Sequence, residues 1–106
     1  MKTKLLFICW ANIDRSPAAE SLFKDSNKVE AKSAGLAPYA EKKLTKQSIE
    51  WADKIFVMEH EHKIMLFKMF PDINKEVVVL NINNDYSRGD KELVEVLRRK
   101  LGDYLG

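Results

Sequence analysis

Four short apolar runs separated by stretches with helical spacing organise this chain. Leu5-Leu6-Phe7-Ile8 reads as the first strand, and Ala18, Ala19, Leu22 and Phe23 recur at the spacing of a helix with one buried stripe. Val29 to Ser33 reads as a short second strand that ends near Gly35. A loop through Pro38 leads to Thr45, a suitable N-cap for a helix carrying Ile49 and Trp51. Ile55 to Met58 is apolar throughout, the mark of a central strand covered on both faces. A helix is expected from about Glu61 to Phe70, stopped by Pro71. Val77 to Leu80 reads as a fourth buried strand. The last helix starts near Asp90, with Leu93, Leu97, Leu101 and Tyr104 or Leu105 on its apolar face. Strands separated by helices in this way require right-handed crossovers and hence a parallel sheet. The expected fold is α/β: a single-domain, four-stranded parallel sheet flanked by helices on both faces.

Composition narrows the class without changing that picture. The 106 residues, 45% of them apolar, suit one globular domain spanning 1–106. No apolar stretch approaches the ~20 residues of a membrane span. The basic Met1-Lys2-Thr3-Lys4 precedes an apolar run only a strand long, with no small-residue cleavage site. Neither a membrane partner nor a signal peptide is therefore expected. A single cysteine excludes an internal disulfide and fits a reducing cytoplasm. The formal net charge of +2, with acidic and basic residues interspersed, argues against a nucleic-acid partner, which would need positive charge gathered on one face.

Candidate chemistry concentrates in Cys9-Trp10-Ala11-Asn12-Ile13-Asp14-Arg15-Ser16, directly after the first apolar run. Ser16-Pro17-Ala18-Ala19-Glu20 reads as a helix start, where proline is tolerated because its missing N–H would be unpaired anyway. Strand, tight loop and helix N-terminus in that order make an anion site, because loop amides converge and the helix dipole adds positive potential. A thiol held in such a field ionises more readily and becomes a nucleophile. Arg15 can grip two oxygens of a phosphoryl group with its planar fork. The bland alternative for Cys9 is a buried structural thiol, which its place at the strand-to-loop transition disfavours.

Ile8-Cys9-Trp10-Ala11-Asn12-Ile13-Asp14-Arg15-Ser16-Pro17-Ala18-Ala19-Glu20 resembles the phosphate-binding loop of the low-molecular-weight protein tyrosine phosphatases, placed after strand one. Ser33-Ala34-Gly35 is similar to that family's second strand and the loop after it. Ala52-Asp53-Lys54-Ile55-Phe56-Val57-Met58 is similar to its third strand. The likeness is greatest to a short bacterial and archaeal branch. It implies hydrolysis of a phosphotyrosine protein or a small aryl phosphate through a cysteinyl-phosphate on Cys9, with Arg15 and the loop amides on the phosphoryl oxygens and no cofactor. Ser16 is expected to donate to the Cys9 sulfur, or to cap the helix, or both. Asn12 is expected to brace the loop, for which a left-handed backbone suits asparagine; a generic turn role is the alternative.

The family's general acid, an Asp followed by Pro after the fourth strand, falls on Asn84 in strict alignment, and an amide cannot serve as that acid. The neighbouring Asp85 is taken as the acid after a one-residue shift, against the alternative of a plain turn aspartate. Asp14 places a negative charge in the loop and is expected to point outward. Trp10 and Tyr86 each read either as a pocket wall or as a packing residue. His60 and His62 are two apart, diverge on a helix and lack a third ligand, so no metal is expected and both read as surface histidines. Three readings follow: a cysteine-dependent phosphatase, a phosphate-binding or regulatory module that has lost its acid, and, least favoured with one cysteine, an arsenate reductase.

Overall fold

Alternation along β1 (Thr3–Cys9) sets the layers. In a strand successive side chains face opposite ways, so Leu5, Phe7 and Cys9 enter one core while Leu6 and Ile8 enter the other. The computed structural model describes residues 2–83, 85–87 and 89–105. Beside β1 lie β2 (Val29–Gly35), β3 (Lys54–Val57) and β4 (Val77–Val79), all parallel, in the order β2-β1-β3-β4. Helices α1 (Arg15–Leu22) and α4 (Lys91–Lys100) cover the face of Phe7, through Ala18, Ala19, Leu93 and Leu97. Helices α2 (Lys46–Trp51) and α3 (His60–Met69) cover the face of Leu6, through Ile49 and Leu66. A short α5 (Gly102–Leu105) follows α4. The α/β class, the four parallel strands and the helices on both faces agree with the expectation from the sequence.

Capping chemistry fixes several boundaries. Thr45 caps α2, its Oγ1 accepting from the Ser48 amide at 3.1 Å, and Asp90 caps α4, accepting from the Glu92 amide at 2.8 Å. The end of α2 is closed from a distance. The Lys75 ammonium donates to the carbonyls of Ile49, Glu50 and Ala52 at 2.7, 2.6 and 2.5 Å, satisfying groups a helix end leaves unpaired. Phe7 stacks between Phe23 and Phe56, with ring centroids 5.9 and 5.3 Å away, and so ties α1's end to the sheet.

One expectation changes. β4 is not a buried strand: Val77, Val78 and Val79 are half-buried because β4 is the sheet's edge, and only Leu80 beyond it is buried. β2 ends at Gly35, as expected, where it pairs with Cys9 at the last rung of β1. No helix among the described residues is long and apolar enough to cross a membrane.

The strand order determines where a ligand can sit. The chain leaves β1 for β2 on one side and later returns to β3 on the other, so a crevice opens beyond the carboxyl ends of β1 and β3. Cys9 ends β1 and Glu59 follows β3, at that same edge.

Candidate active site

The loop after β1 takes its shape from the segment beside it. The carbonyls of Cys9, Trp10 and Ala11 accept from the amides of Leu36, Ala37 and Glu41 at 3.1, 2.8 and 3.1 Å. In a planar trans peptide the N–H points opposite the C=O. The amides of Trp10, Ala11 and Asn12 therefore face away from that segment, where an anion can collect them. Close approach makes this possible: a Cβ on Gly35 would stand 2.8 Å from the Trp10 carbonyl oxygen and 2.9 Å from the Asn12 nitrogen. Asn12 takes the left-handed turn, with φ 57°, and the loop then enters α1 at Arg15. Asp14 is the half-buried N-cap residue of α1, but its side chain does not cap the helix.

Three side chains form a buried chain under the loop. Asn12 Nδ2 donates to Ser16 Oγ at 2.9 Å, and Ser16 Oγ lies 2.9 Å from Cys9 Sγ. Because the serine oxygen is already an acceptor, its own proton is free to go to the sulfur; the alternative acceptor, the Ala34 carbonyl, is farther, at 3.5 Å. Asn12 thus braces the loop, and Ser16 faces the thiol instead of capping α1. Cys9 is 3% exposed.

Arg15 comes from the first turn of α1 and is 6% exposed. Its Nη1 donates to Glu59 Oε2 at 2.5 Å and to the Ile82 carbonyl at 2.6 Å. The second contact depends on a turn after β4. Asn81 is left-handed, φ 58°, and Ile82 then rejoins the sheet edge by donating its amide to the Met58 carbonyl at 2.8 Å. Arg15 is therefore joined to the segments after β3 and β4, which the parallel strands bring to the same sheet edge as Cys9. Glu59 was legible in one respect, as a carboxylate directly beyond the end of a central strand.

Other expected site residues stand apart from this cluster. Asp85 is exposed; its amide donates to the Asn83 side chain at 3.1 Å, the local bond of an Asx turn. Among the described residues no contact joins its carboxylate to Cys9 or Arg15. Asn84 lies outside the described residues. Tyr86 packs against the α1 and α4 core and so anchors its loop. Trp10 and Ile13 are exposed, and the Trp10 indole donates to the Tyr39 hydroxyl at 2.7 Å. Tyr39 was not singled out in the sequence, since its partner lies 29 residues away.

One histidine assignment is corrected. His60 is exposed, but His62 is buried, because residues two apart on a helix face different ways and α3 packs its inner side on the sheet. His62 Nδ1 accepts the Glu59 amide at 3.2 Å, and Nε2 lies 3.7 Å from Glu59 Oε2. Burial and then the Arg15 charge push its pKa from 6.5 down to about 4, against an opposing pull from Glu59. Between those values the unfolded chain binds a proton that the folded chain refuses, so stability falls as the pH drops through this window. The loss should approach roughly 2–3 kcal/mol. Urea midpoints between pH 7 and pH 4 will show it, and His62→Asn should flatten the slope. An unchanged slope in the variant would rule out this source. Among the described residues no group of three or more His, Cys, Asp or Glu could hold a metal ion.

A thiol backed by a hydroxyl, under a turn of outward-bonded carbonyls and beside an arginine, defines a class: phosphoryl-transfer enzymes that work from a cysteine in a phosphate-binding loop. Comparison with known proteins agrees. The family described as Low molecular weight phosphotyrosine protein phosphatase matches residues 4–52. A protein-arginine-phosphatase of Geobacillus stearothermophilus is 28% identical over 104 aligned positions, 76% of this chain and 70% of that protein. The crystal structure of a YwlE mutant from Bacillus subtilis is 26% identical, with a TM-score of 0.74, covering 98% of this chain and 99% of that one. The structure of SP-PTP, a low molecular weight protein tyrosine phosphatase from Streptococcus pyogenes, shares the fold with a TM-score of 0.82 at 20% identity, covering 99% and 91%. Over residues 4–52 the chain is thus similar to the low molecular weight phosphotyrosine protein phosphatases, and the comparisons support a cysteine-dependent phosphatase.

Proposed function

We propose that residues 1–106 act as one phosphatase domain that hydrolyses phosphotyrosine in proteins, or small aryl phosphates, with Cys9 as nucleophile. The observation that carries this reading is the chain Asn12–Ser16–Cys9 beneath the loop, with Arg15 beside it. The Cys9 thiolate attacks phosphorus in line; the S–P bond forms as the P–O bond to the leaving group breaks. Arg15 and the amides of Trp10, Ala11, Asn12, Ile13, Asp14, Arg15 and Ser16 hold the equatorial oxygens, where charge is spread in the transition state. Asp85 gives its proton to the leaving oxygen, then takes one from the water that attacks phosphorus and breaks the S–P bond. Free phosphate and the thiolate result, the thiolate leaving more readily for the Ser16 hydrogen bond. A lone thiol used in this way suits a reducing compartment, here the cytoplasm.

A second reading is favoured by the relative named protein-arginine-phosphatase: the leaving group would be a guanidine. Leaving-group basicity decides between them. A guanidine is a more basic leaving group than a phenolate, so it depends far more on an acid at the site. In this chain the acid is an exposed aspartate on a turn, while the loop rim carries Trp10, Ile13 and Tyr39, which suit a flat aromatic group.

The test is the rate on a phosphotyrosine peptide, p-nitrophenyl phosphate and phosphoarginine, for the native chain and Asp85→Asn. Phosphotyrosine should exceed phosphoarginine. Asp85→Asn should lower kcat on phosphotyrosine by about 10²-fold, the lower range of general acid catalysis. It should lower the rate less on p-nitrophenyl phosphate, whose anion leaves unaided. Faster phosphoarginine cleavage would reject the aryl reading, and equal rates for Asp85→Asn would remove Asp85 from the mechanism.

A further inference from the structure

We propose that Glu59 is a positioning residue for the phosphatase reaction: it holds the Arg15 fork ready before substrate arrives, while His62 fixes Glu59. The proposal rests on the phosphatase reading above. An arginine side chain has many rotamers, and those not suited to the phosphoryl oxygens must be frozen out on binding or excluded beforehand. Arg15 is restrained in advance by two acceptors from different segments, Glu59 Oε2 at 2.5 Å after β3 and the Ile82 carbonyl at 2.6 Å after β4. The carbonyl belongs to the main chain; only Glu59 can be altered as a side chain.

Glu59 is itself fixed. Its amide donates to the buried His62 ring at Nδ1, and the amides of His62 and Lys63 return to its carbonyl at 3.0 and 3.4 Å. With Nδ1 accepting, the neutral ring carries its hydrogen on Nε2, the nitrogen that faces Glu59 Oε2 at 3.7 Å. His62 therefore meets Glu59 at both its backbone and its carboxylate. A neutral imidazole does this without offering a second cation to compete with Arg15.

The carboxylate also has a cost, since it places negative charge near an incoming phosphoryl group. A residue kept only to begin α3 would not need that charge or that length: serine, threonine, asparagine and aspartate are better N-caps than glutamate. Reach to Arg15 is what glutamate adds.

The two roles separate by substitution. Glu59→Ser keeps an N-cap for α3 but is too short to reach Arg15; Glu59→Gln keeps the reach and an acceptor oxygen. The measurements are the melting temperature, kcat/KM on an aryl phosphate, and the dissociation constant of inorganic phosphate. Glu59→Ser should melt within a few degrees of the native chain yet lose about tenfold in kcat/KM, the scale of freeing one arginine side chain. It should also bind phosphate more weakly. Glu59→Gln should restore kcat/KM to within about threefold and bind phosphate at least as tightly as the native chain, having lost the opposing charge. Native values in Glu59→Ser, or an equal loss in Glu59→Gln, would overturn the proposal. A native chain that binds phosphate without turning over the ester would reject the hydrolase reading, and the phosphate constants would still decide on Glu59. A native chain that binds no phosphate would overturn both.

Discussion

Cys9→Ser is expected to remove turnover, by on the order of 10⁴-fold or more, the scale on which covalent enzymes lose rate with their nucleophile. It should leave inorganic phosphate bound. The cradle does not depend on sulfur: its carbonyls are tied to Leu36, Ala37 and Glu41, its bend to Asn12, and its charge to Arg15. A serine at this position keeps a hydrogen-bonding partner for Ser16, so the loop has no reason to collapse. What it lacks is sulfur, which attacks phosphorus more readily than a hydroxyl oxygen and leaves it more readily. The native chain mixed with substrate and quenched in acid should carry one phosphoryl group on Cys9. Absence of that adduct, together with undiminished turnover in Cys9→Ser, would reject the covalent mechanism. Lost turnover with native phosphate affinity would assign the sulfur to chemistry and the loop to binding.

Much of this site was legible because it is local. Cys9 to Ser16 is one uninterrupted run, and a strand, a turn and a helix start leave periodic and capping signals that short windows capture. The pairing of Asn12, Ser16 and Cys9 follows from the same run once it curls. Arg15 shows where locality ends. Its partners, Glu59 and the Ile82 carbonyl, lie 44 and 67 residues away, and they meet it only because β3 lies between β1 and β4. Alternating strands and helices imply a parallel sheet but do not give its order.

The edge position of β4 was hidden for the same reason. Three valines mark a strand whether one face is covered or two, and coverage depends on strand order. His62 was misread because α3 shows little apolar asymmetry around its first turn, and a histidine at a helix start looks solvent-facing until its neighbours are known. Its burial beside Glu59 connects the fold to the site: α3 begins where Arg15 is held. Asp85 marks the opposite limit. A turn-forming Asn-Asn-Asp was plain in the sequence, and the structure places Asp85 on that turn, at the surface.

Arg15→Lys is the change expected to cost most after loss of the sulfur: a fall of about 10³-fold in kcat/KM, within the range for losing a preorganised donor or arginine in phosphoryl transfer. The substitution keeps the positive charge and most of the apolar stem, so it isolates geometry from charge. In the native chain one guanidinium nitrogen is already committed to Glu59 and Ile82. The planar group can hold those anchors with Nη1 and still present further N–H donors toward the loop. A lysine has a single nitrogen. To keep the anchors it must give up the phosphoryl oxygens, and to reach those oxygens it must leave Glu59 beside them without its partner. Both choices weaken the transition state, in which the equatorial oxygens carry the spread charge. Inorganic phosphate affinity should fall far less than kcat/KM, because a point charge still attracts an anion even when it cannot match the in-line geometry. Near-native kcat/KM in Arg15→Lys, with an unchanged melting temperature, would mean that charge alone suffices and that the anchoring of the fork has no catalytic consequence.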